Sequence, residues 1–196
     1  VAWSPDGNKL AFIGQTAKQS DVYLYDLLNH QVSNITNDIF TDTDPAWSYD
    51  GNQIFFFFFR GEFLSNEEIP DSFKIYHHNI NQLDLYSVEI SSLKISRLTD
   101  MPESDETSPA SGPDGKELIF ISDINGINNI YKISLKDDSG NTLNWLEQKP
   151  LPLTNSLNGL YQLSLSKDGQ KLTFSTLYQA SYSIFLLNNP LGQQLE

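Results

Sequence analysis

The sequence predicts an all-β chain built from repeated four-stranded sheets, on three observations. One phrase recurs along the chain, as the eleven-residue "AWSPDGNKLAF" at 2–12, "AWSYDGNQIFF" at 46–56 and "ASGPDGKELIF" at 110–120 and, more loosely, as "LSLSKDGQKLTF" at 163–174. Six consecutive large apolar residues, Ile54 to Phe59, follow one of these turns. The composition leans towards strand-favouring aromatics, with Phe 12 and Tyr 9 among 196 residues.

The repeat has an internal register. Asp6, Asp50, Asp114 and Asp168 are each followed by glycine, and six residues past each aspartate stands Phe12, Phe56, Phe120 or Phe174. Eleven past the phenylalanine comes Tyr23, Tyr131 or Phe185, whereas in the second copy Tyr86 follows after 30. Thirteen past the tyrosine comes Thr36 or Thr99, closing "NIT" and "RLT"; in the third copy Thr154 follows after 23. The unit is thus about 44 residues, lengthened by about 19 in copy two and by 10 in copy three. Within it "AWS" reads as a first strand running into a Ser-Pro-Asp-Gly hairpin turn, where Gly accepts the left-handed position. "NKLAFI", "DVYLYDL" and "QVSNIT" read as the second, third and fourth strands. Four short strands per unit of 40–45 residues is the signature of a β-propeller blade. The predicted blades span approximately 1–44, 45–108, 109–161 and 162–196, with Phe12, Phe56, Phe120 and Phe174 expected to be buried at equivalent positions.

The run Ile54–Phe59 fits this scheme. It is far short of the roughly 20 apolar residues that span a bilayer, and it does not alternate as a half-exposed strand does. A strand covered on both faces reads as a continuous apolar run. A strand central in a blade and packed between neighbouring blades meets that condition, so the phenylalanines are packing residues.

At "AWSPDG…LAF…DVYLYDL…IT" and "DTDPAWSYDG" the chain resembles the WD-like repeats of TolB-type β-propellers, related to those of prolyl-oligopeptidase-like and oligogalacturonate-lyase-like proteins. Copies three and four depart from the pattern, with Ser111 and Leu165 where Trp3 and Trp47 stand. The resemblance implies a propeller of about six blades, of which four are visible, and a periplasmic or extracytoplasmic setting. It also implies that the lead-in loops of the blades share a face with the loops between second and third strands. The copy-two insertion, 60–82, then sits with "NDIFTDTDP" and "TDMPESDETSP", while the copy-three insertion, 136–152, belongs to the opposite face. The chain opens at Val1 without an initiator methionine and reads as a fragment or processed product. The register puts the fourth copy's closing threonine at 198, so its last strand over 192–196 is either shortened or cut. Four blades of six would leave two blade faces open, and self-association through the end blades follows as an expectation.

The chemistry is sparse. Twenty-five acidic against twelve basic residues give a net charge of −13, which repels nucleic acid and anionic membrane surfaces and favours basic partners. Cysteine is absent, so thiolate chemistry and disulfides are excluded. No Gly-x-Ser-x-Gly elbow and no Gly-rich phosphate loop occurs. His77 and His78 are adjacent and near Glu67, Glu68 and Asp71, but adjacent residues of an extended segment point apart and suit a polar loop better than a zinc site. "DTD" at 42–44 has the oxygen-rich composition of a calcium cluster without the glycine and spaced carboxylates of a calcium loop. No cofactor is therefore expected, calcium being the divalent cation the pattern would suit. The expected function is a non-catalytic, TolB-type module binding a basic protein or peptide through Asp42, Asp44, Arg60, His77, His78, Asp105 and Glu106. The alternatives are the propeller domain of an enzyme, either peptidase or sugar-acid lyase, and the sensory domain of a membrane-anchored regulator.

Overall fold

The computed structural model describes residues 1–60, 63–75 and 82–192. It divides into two compact units, Val1–Asp105 and Glu106–Glu196, each holding two of the repeats. In the first unit, β1 (Ala2–Trp3), β2 (Lys9–Gln15), β3 (Ser20–Asp26) and β4 (Gln31–Asn34) form one antiparallel sheet in chain order. β5 (Thr43–Trp47), β6 (Gln53–Phe58), β7 (Asp84–Glu89) and β8 (Ile95–Arg97) form the next. The second unit repeats the arrangement with β9 (Glu106–Ser111), β10 (Glu117–Ser122), β11 (Asn129–Ser134) and β12 (Leu151–Pro152). The fourth sheet has three strands among the described residues: β13 (Leu160–Leu165), β14 (Lys171–Tyr178) and β15 (Ser181–Asn188). The strand expected over 192–196 falls almost wholly outside the described residues. Among the described residues helix is confined to short 3-10 turns, and none is long and apolar enough to cross a membrane.

Each repeated residue has a repeated job. In the hairpin turns, Ser4 Oγ donates to Asp6 Oδ1 (2.6 Å) and accepts from the Lys9 amide (2.9 Å). Ser48 and Ser166 make the same pair of bonds with Asp50 and Gln53 and with Asp168 and Lys171. Gly7, Gly51, Gly115 and Gly169 all have φ between 66° and 75°, the left-handed region that a side chain disfavours. The closing threonines Thr36, Thr99 and Thr154 each accept, through Oγ1, the amide of Val22, Leu85 or Ile130 at 2.9–3.0 Å, tying the end of each repeat to its third strand.

The sheets start two or three residues before the predicted Pro45, Pro109 and Gln162, because the first strand continues through a bulge. Asp44, Ser108 and Gln162 hold equivalent bulge positions with φ of 48°, 53° and 58°, and the ladder register shifts there in all three sheets.

In the first unit, Trp47, Ile54 and Phe56 of the second blade pack with Ala11, Val22 and Leu24 of the first. In the second, Leu160 and Leu172 of the fourth blade pack with Ile119, Ile121 and Ile130 of the third. Ile54 to Phe58 are all buried, alternate residues facing opposite sides of β6, as a doubly covered strand requires. Phe59 is partly buried against Phe58. The register phenylalanines stack on the third strand in every blade, with Phe12–Tyr23, Phe56–Tyr86, Phe120–Tyr131 and Phe174–Phe185 centroids 5.8–6.4 Å apart. Equal burial does not hold, however. Phe56 and Phe120 are buried, whereas Phe12 and Phe174 are only half-buried. Phe12 lies on a sheet face that is not fully covered, and Phe174 borders a cleft of about 400 Å³ edged by Asn155, Asn158 and Tyr178.

Candidate functional site

The second blade carries the large insertion between β6 and β7, described over 63–75, and the loop leading into that blade lies against it. Arg60, two residues past β6, is where the chain leaves the sheet. Its guanidinium Nη2 binds Asp38 Oδ2 in a close ion pair and Asp42 Oδ1 at 3.3 Å. Three rings surround it, with the guanidinium carbon 5.3, 5.5 and 5.8 Å from the centroids of Phe40, Phe56 and Phe58. Planar delocalised charge suits such a cage, since the ring faces attract the cation while the carboxylates take its donors.

The insertion then folds back onto the lead-in loop. Phe63 and Phe73 meet edge to face at 5.1 Å and both contact Phe40, at 6.4 and 6.0 Å. Asn66 Nδ2 donates to the Asn37 carbonyl at 3.1 Å. A 3-10 turn at Asn66–Glu68 returns the Glu68 carboxylate to the amides of Leu64 and Ser65 at 2.7 and 3.2 Å. Where the chain rejoins the sheet, Asp105 accepts the Leu83 amide at 3.0 Å. Departure and return of the insertion are thus both held by acids of lead-in loops. Asp44, Glu67, Asp71 and Glu103 remain exposed around it.

Burial sets the electrostatics. Asp42 is fully buried, and desolvation raises its carboxyl to about 7 against the attraction of Arg60, with the neighbouring Asp38 charge raising it further. Desolvation likewise raises Asp38, again opposed by Arg60. One guanidinium faces two carboxylates, both raised by desolvation, and the Asp21 charge raises Asp38 further. The Asp42 Oδ2 makes no hydrogen bond among the described residues.

A second arginine between two aspartates stands nearby in the same unit. Arg97 Nη2 binds Asp84 Oδ2 at 2.5 Å and Asp100 Oδ1 at 2.8 Å, but here the arginine side chain is 14% exposed and Asp100 is 56% exposed. Asp84 holds the place that Asp21 holds in the first blade and Asn129 in the third, each buried at the start of the third strand. Asn34 Nδ2 donates to Asp21 and Thr154 Oγ1 to Asn129, as Arg97 does to Asp84.

The sequence-predicted residues therefore fall into three groups. Asp44, at the β5 bulge, and Asp105, which accepts the Leu83 amide, are exposed. Asp42, Arg60 and Glu106 are buried, and Asp42 is paired with Arg60. Glu106 accepts from Ser122 Oγ at 3.5 Å within the second unit. His77 and His78 lie outside the described residues. Asp38, in the same lead-in loop as Asp42, is the second carboxylate on Arg60 and carried no sequence signal of that pairing. The "DTD" segment is divided by the fold, Asp42 inward on Arg60 and Asp44 outward. Among the described residues no group of three or more His, Cys, Asp or Glu is arranged to hold a metal ion. His30 sits in a turn with Nδ1 3.0 Å from the Tyr25 hydroxyl.

No family model matches the chain. Its structure is similar to TolB from Acinetobacter baumannii, with a TM-score of 0.68 and 23% identity over 95% of this chain and 40% of that one. It is similar to a putative TolB from Agrobacterium tumefaciens, with a TM-score of 0.70 and 21% identity over 97% of this chain and 61% of that one. An oligogalacturonate lyase from Vibrio parahaemolyticus aligns at a TM-score of 0.50 and 13% identity, over 95% of this chain and 61% of that one. The chain has a TolB-like propeller fold and spans 40% and 61% of the length of those two TolB chains.

Proposed function

We propose that this chain is a non-catalytic binding module of TolB-like propeller type, part of a larger propeller. It holds a basic protein or peptide on the surface formed by the second-blade insertion and its flanking loops, in an extracytoplasmic setting. The observation that carries the reading is the anchoring of that insertion. Arg60 with Asp38 and Asp42 stands at its departure and Asp105 at its return, and the Phe40–Phe63–Phe73 cluster packs its 63–75 part on the lead-in loop. Glu67 and Asp71 are exposed within the insertion, and Asp44 and Asp105 are exposed at the starts of the second and third blades. A preorganised loop loses less freedom on binding, and a rim of one sign steers an oppositely charged partner. Similarity to TolB structures supports the fold behind this reading. The similarity to a lyase keeps an enzyme domain as the alternative, but no residue cluster described here favours it.

The test is titration of Lys-rich and Arg-rich 15-residue peptides against the chain and its Asp44→Asn/Asp71→Asn/Asp105→Asn variant at two salt concentrations. Binding should weaken about tenfold or more in the variant and lose most of its salt dependence. Unchanged affinity there, with loss on neutralising the acids at 137–138, would move the binding surface to the third-blade insertion.

A further inference from the structure

The wedge between a lead-in loop and the second and third strands of its blade is filled in the second blade and open in the fourth. In the second, Arg60 lies over Phe56, Phe40 meets Phe58 at 5.0 Å, and Phe63 and Phe73 of the insertion meet Phe40. The two lead-in loops correspond position by position, because Asp50 follows Thr36 and Asp168 follows Thr154 by the same 14 places. Phe174 thus stands for Phe56, Tyr178 for Arg60, Phe185 for Tyr86, Asn158 for Phe40 and Asn155 for Asn37. The turn from β14 to β15 is only Gln179 and Ala180, so no inserted segment returns over the wedge. What is left is a cleft of about 400 Å³ bordered by these five residues, within the range of roughly 300–1,000 Å³ common to ligand clefts. Phe174 and Tyr178 share a face of β14 with Leu172, by strand alternation, and Leu172 packs with Ile119, Ile121 and Ile130 of the third blade. The cleft therefore opens on the side of the fourth blade turned to the third, not on the side that a following blade would cover.

Its chemistry selects the occupant. Among the described residues that line it none is Asp, Glu, Lys, Arg or His, in a chain of net charge −13, so what enters is uncharged. Phe185 stacks on Phe174 at 6.0 Å, and Tyr178, 52% exposed, meets Phe185 edge to face at 5.9 Å. Such a tier with an open side offers a further ring the offset and edge-to-face partners that aromatic groups prefer. Asn158 Nδ2 donates to the Leu177 carbonyl at 3.1 Å and so ties the lead-in loop to β14 beside the rings. Among the described residues no donor meets the Asn155 carbonyl, whereas its counterpart on Asn37 accepts Asn66 Nδ2 of the insertion at 3.1 Å.

We infer that this cleft binds an aromatic side chain on an uncharged peptide segment of a partner, its ring in the place of Phe40 and an amide donor on the Asn155 carbonyl. The second-blade insertion is the chain's own version of such a ligand, with Phe63, Asn66 and Phe73 seated on the corresponding loop. The site is separate from the acidic surface that takes a basic peptide. Because no charge meets charge in it, its affinity does not depend on salt.

The ligand for the test is the eleven-residue peptide of sequence 63–73 carrying Glu67→Gln, Glu68→Gln and Asp71→Asn, which keeps both phenylalanines and Asn66. Titration calorimetry should find it binding the chain equally at two salt concentrations, and equally in the Asp44→Asn/Asp71→Asn/Asp105→Asn chain. Tyr178→Ala should weaken binding about tenfold or more, as loss of an aromatic anchor does. Asn158→Phe supplies from the chain itself the ring found in the second blade, and should weaken binding as much, with circular dichroism unchanged. A peptide with leucine in place of both phenylalanines should also lose about tenfold. Absence of binding to the unaltered chain would overturn the proposal. So would equal affinity in Tyr178→Ala and Asn158→Phe, or a leucine peptide that binds as well. A chain that ignores the peptide but takes up a neutral glucose oligomer, dependent on Tyr178, would make the cleft a saccharide site and overturn it too.

Discussion

Two arginines in the first unit do the same formal job under different conditions. Arg60 and Arg97 each bridge two aspartates, and each lies close to where the chain leaves its sheet. Arg60 is 1% exposed and caged by three phenylalanines; Arg97 shares its charge with the largely exposed Asp100. Coulomb attraction alone does not separate them. Burial of the second carboxylate does. Both partners of Arg60 are buried, and desolvation raises Asp42 to about 7. Arg97 has one buried partner, Asp84, also raised by desolvation, and one largely exposed, Asp100, which water screens. An ion pair of one composition thus acts as a fixed anchor in the first case and as a tuned edge contact in the second.

The largest expected effect breaks the buried centre. Arg60→Met leaves Asp38 and Asp42 buried without their cation, and breaking such a group costs about 3–5 kcal/mol. Urea unfolding should register that loss, and Arg97→Met should cost less, because it leaves one buried carboxylate, Asp84, without its cation while Asp100 returns to water. Equal losses would remove burial as the distinguishing factor.

A pH series sharpens the same contrast. Folded Asp42 keeps its proton up to about 7, while in the unfolded chain it ionises near the ordinary aspartate value of about 4. Its contribution to stability is fully present below about pH 4 and is lost as pH rises through about 7. Asp38 and Asp84, also raised, act in the same direction. Stability should therefore fall by on the order of 2–4 kcal/mol between pH 4 and 8, and Asp42→Asn should remove most of the slope. A slope unchanged in Asp42→Asn would contradict the assignment.

Smaller effects are expected from the repeated polar contacts. Thr99→Val leaves the buried Leu85 amide without its acceptor and should cost about 1–3 kcal/mol. Asp100→Asn removes only the screened half of the Arg97 bridge, and a shift within about 0.5 kcal/mol is expected.

The repeat made the fold legible. Its Asp-Gly turns, register phenylalanines and closing threonines each correspond to a bond or a stack seen in several blades, because local turn chemistry and strand alternation are short-range. Burial was less legible: Phe12 and Phe56 share a motif, but cover depends on which sheet lies opposite. The bulges at Asp44, Ser108 and Gln162 carry no common residue type, so composition gave no signal for them. Arg60 was singled out as a charged residue at the edge of an insertion, and the cage that takes it out of solvent comes from Phe40 and the preceding apolar run. The signal was present in "FFFFFR", where an arginine directly follows a strand buried on both faces.

Hydrogen exchange on the 63–75 segment tests most directly whether the Arg60 centre holds the insertion in place. The amides of Leu64, Ser65 and Phe73 are each bonded within the insertion, at 2.7, 3.2 and 2.8 Å, while those of Phe55 and Phe57 lie in the ladder of β6. In Arg60→Lys, which keeps the charge and loses the planar fork, exchange at the three insertion amides should accelerate about tenfold or more, with the β6 amides unchanged. Insertion amides that exchange at the same rate in both proteins would contradict the anchor, and so would equal acceleration of the insertion and β6.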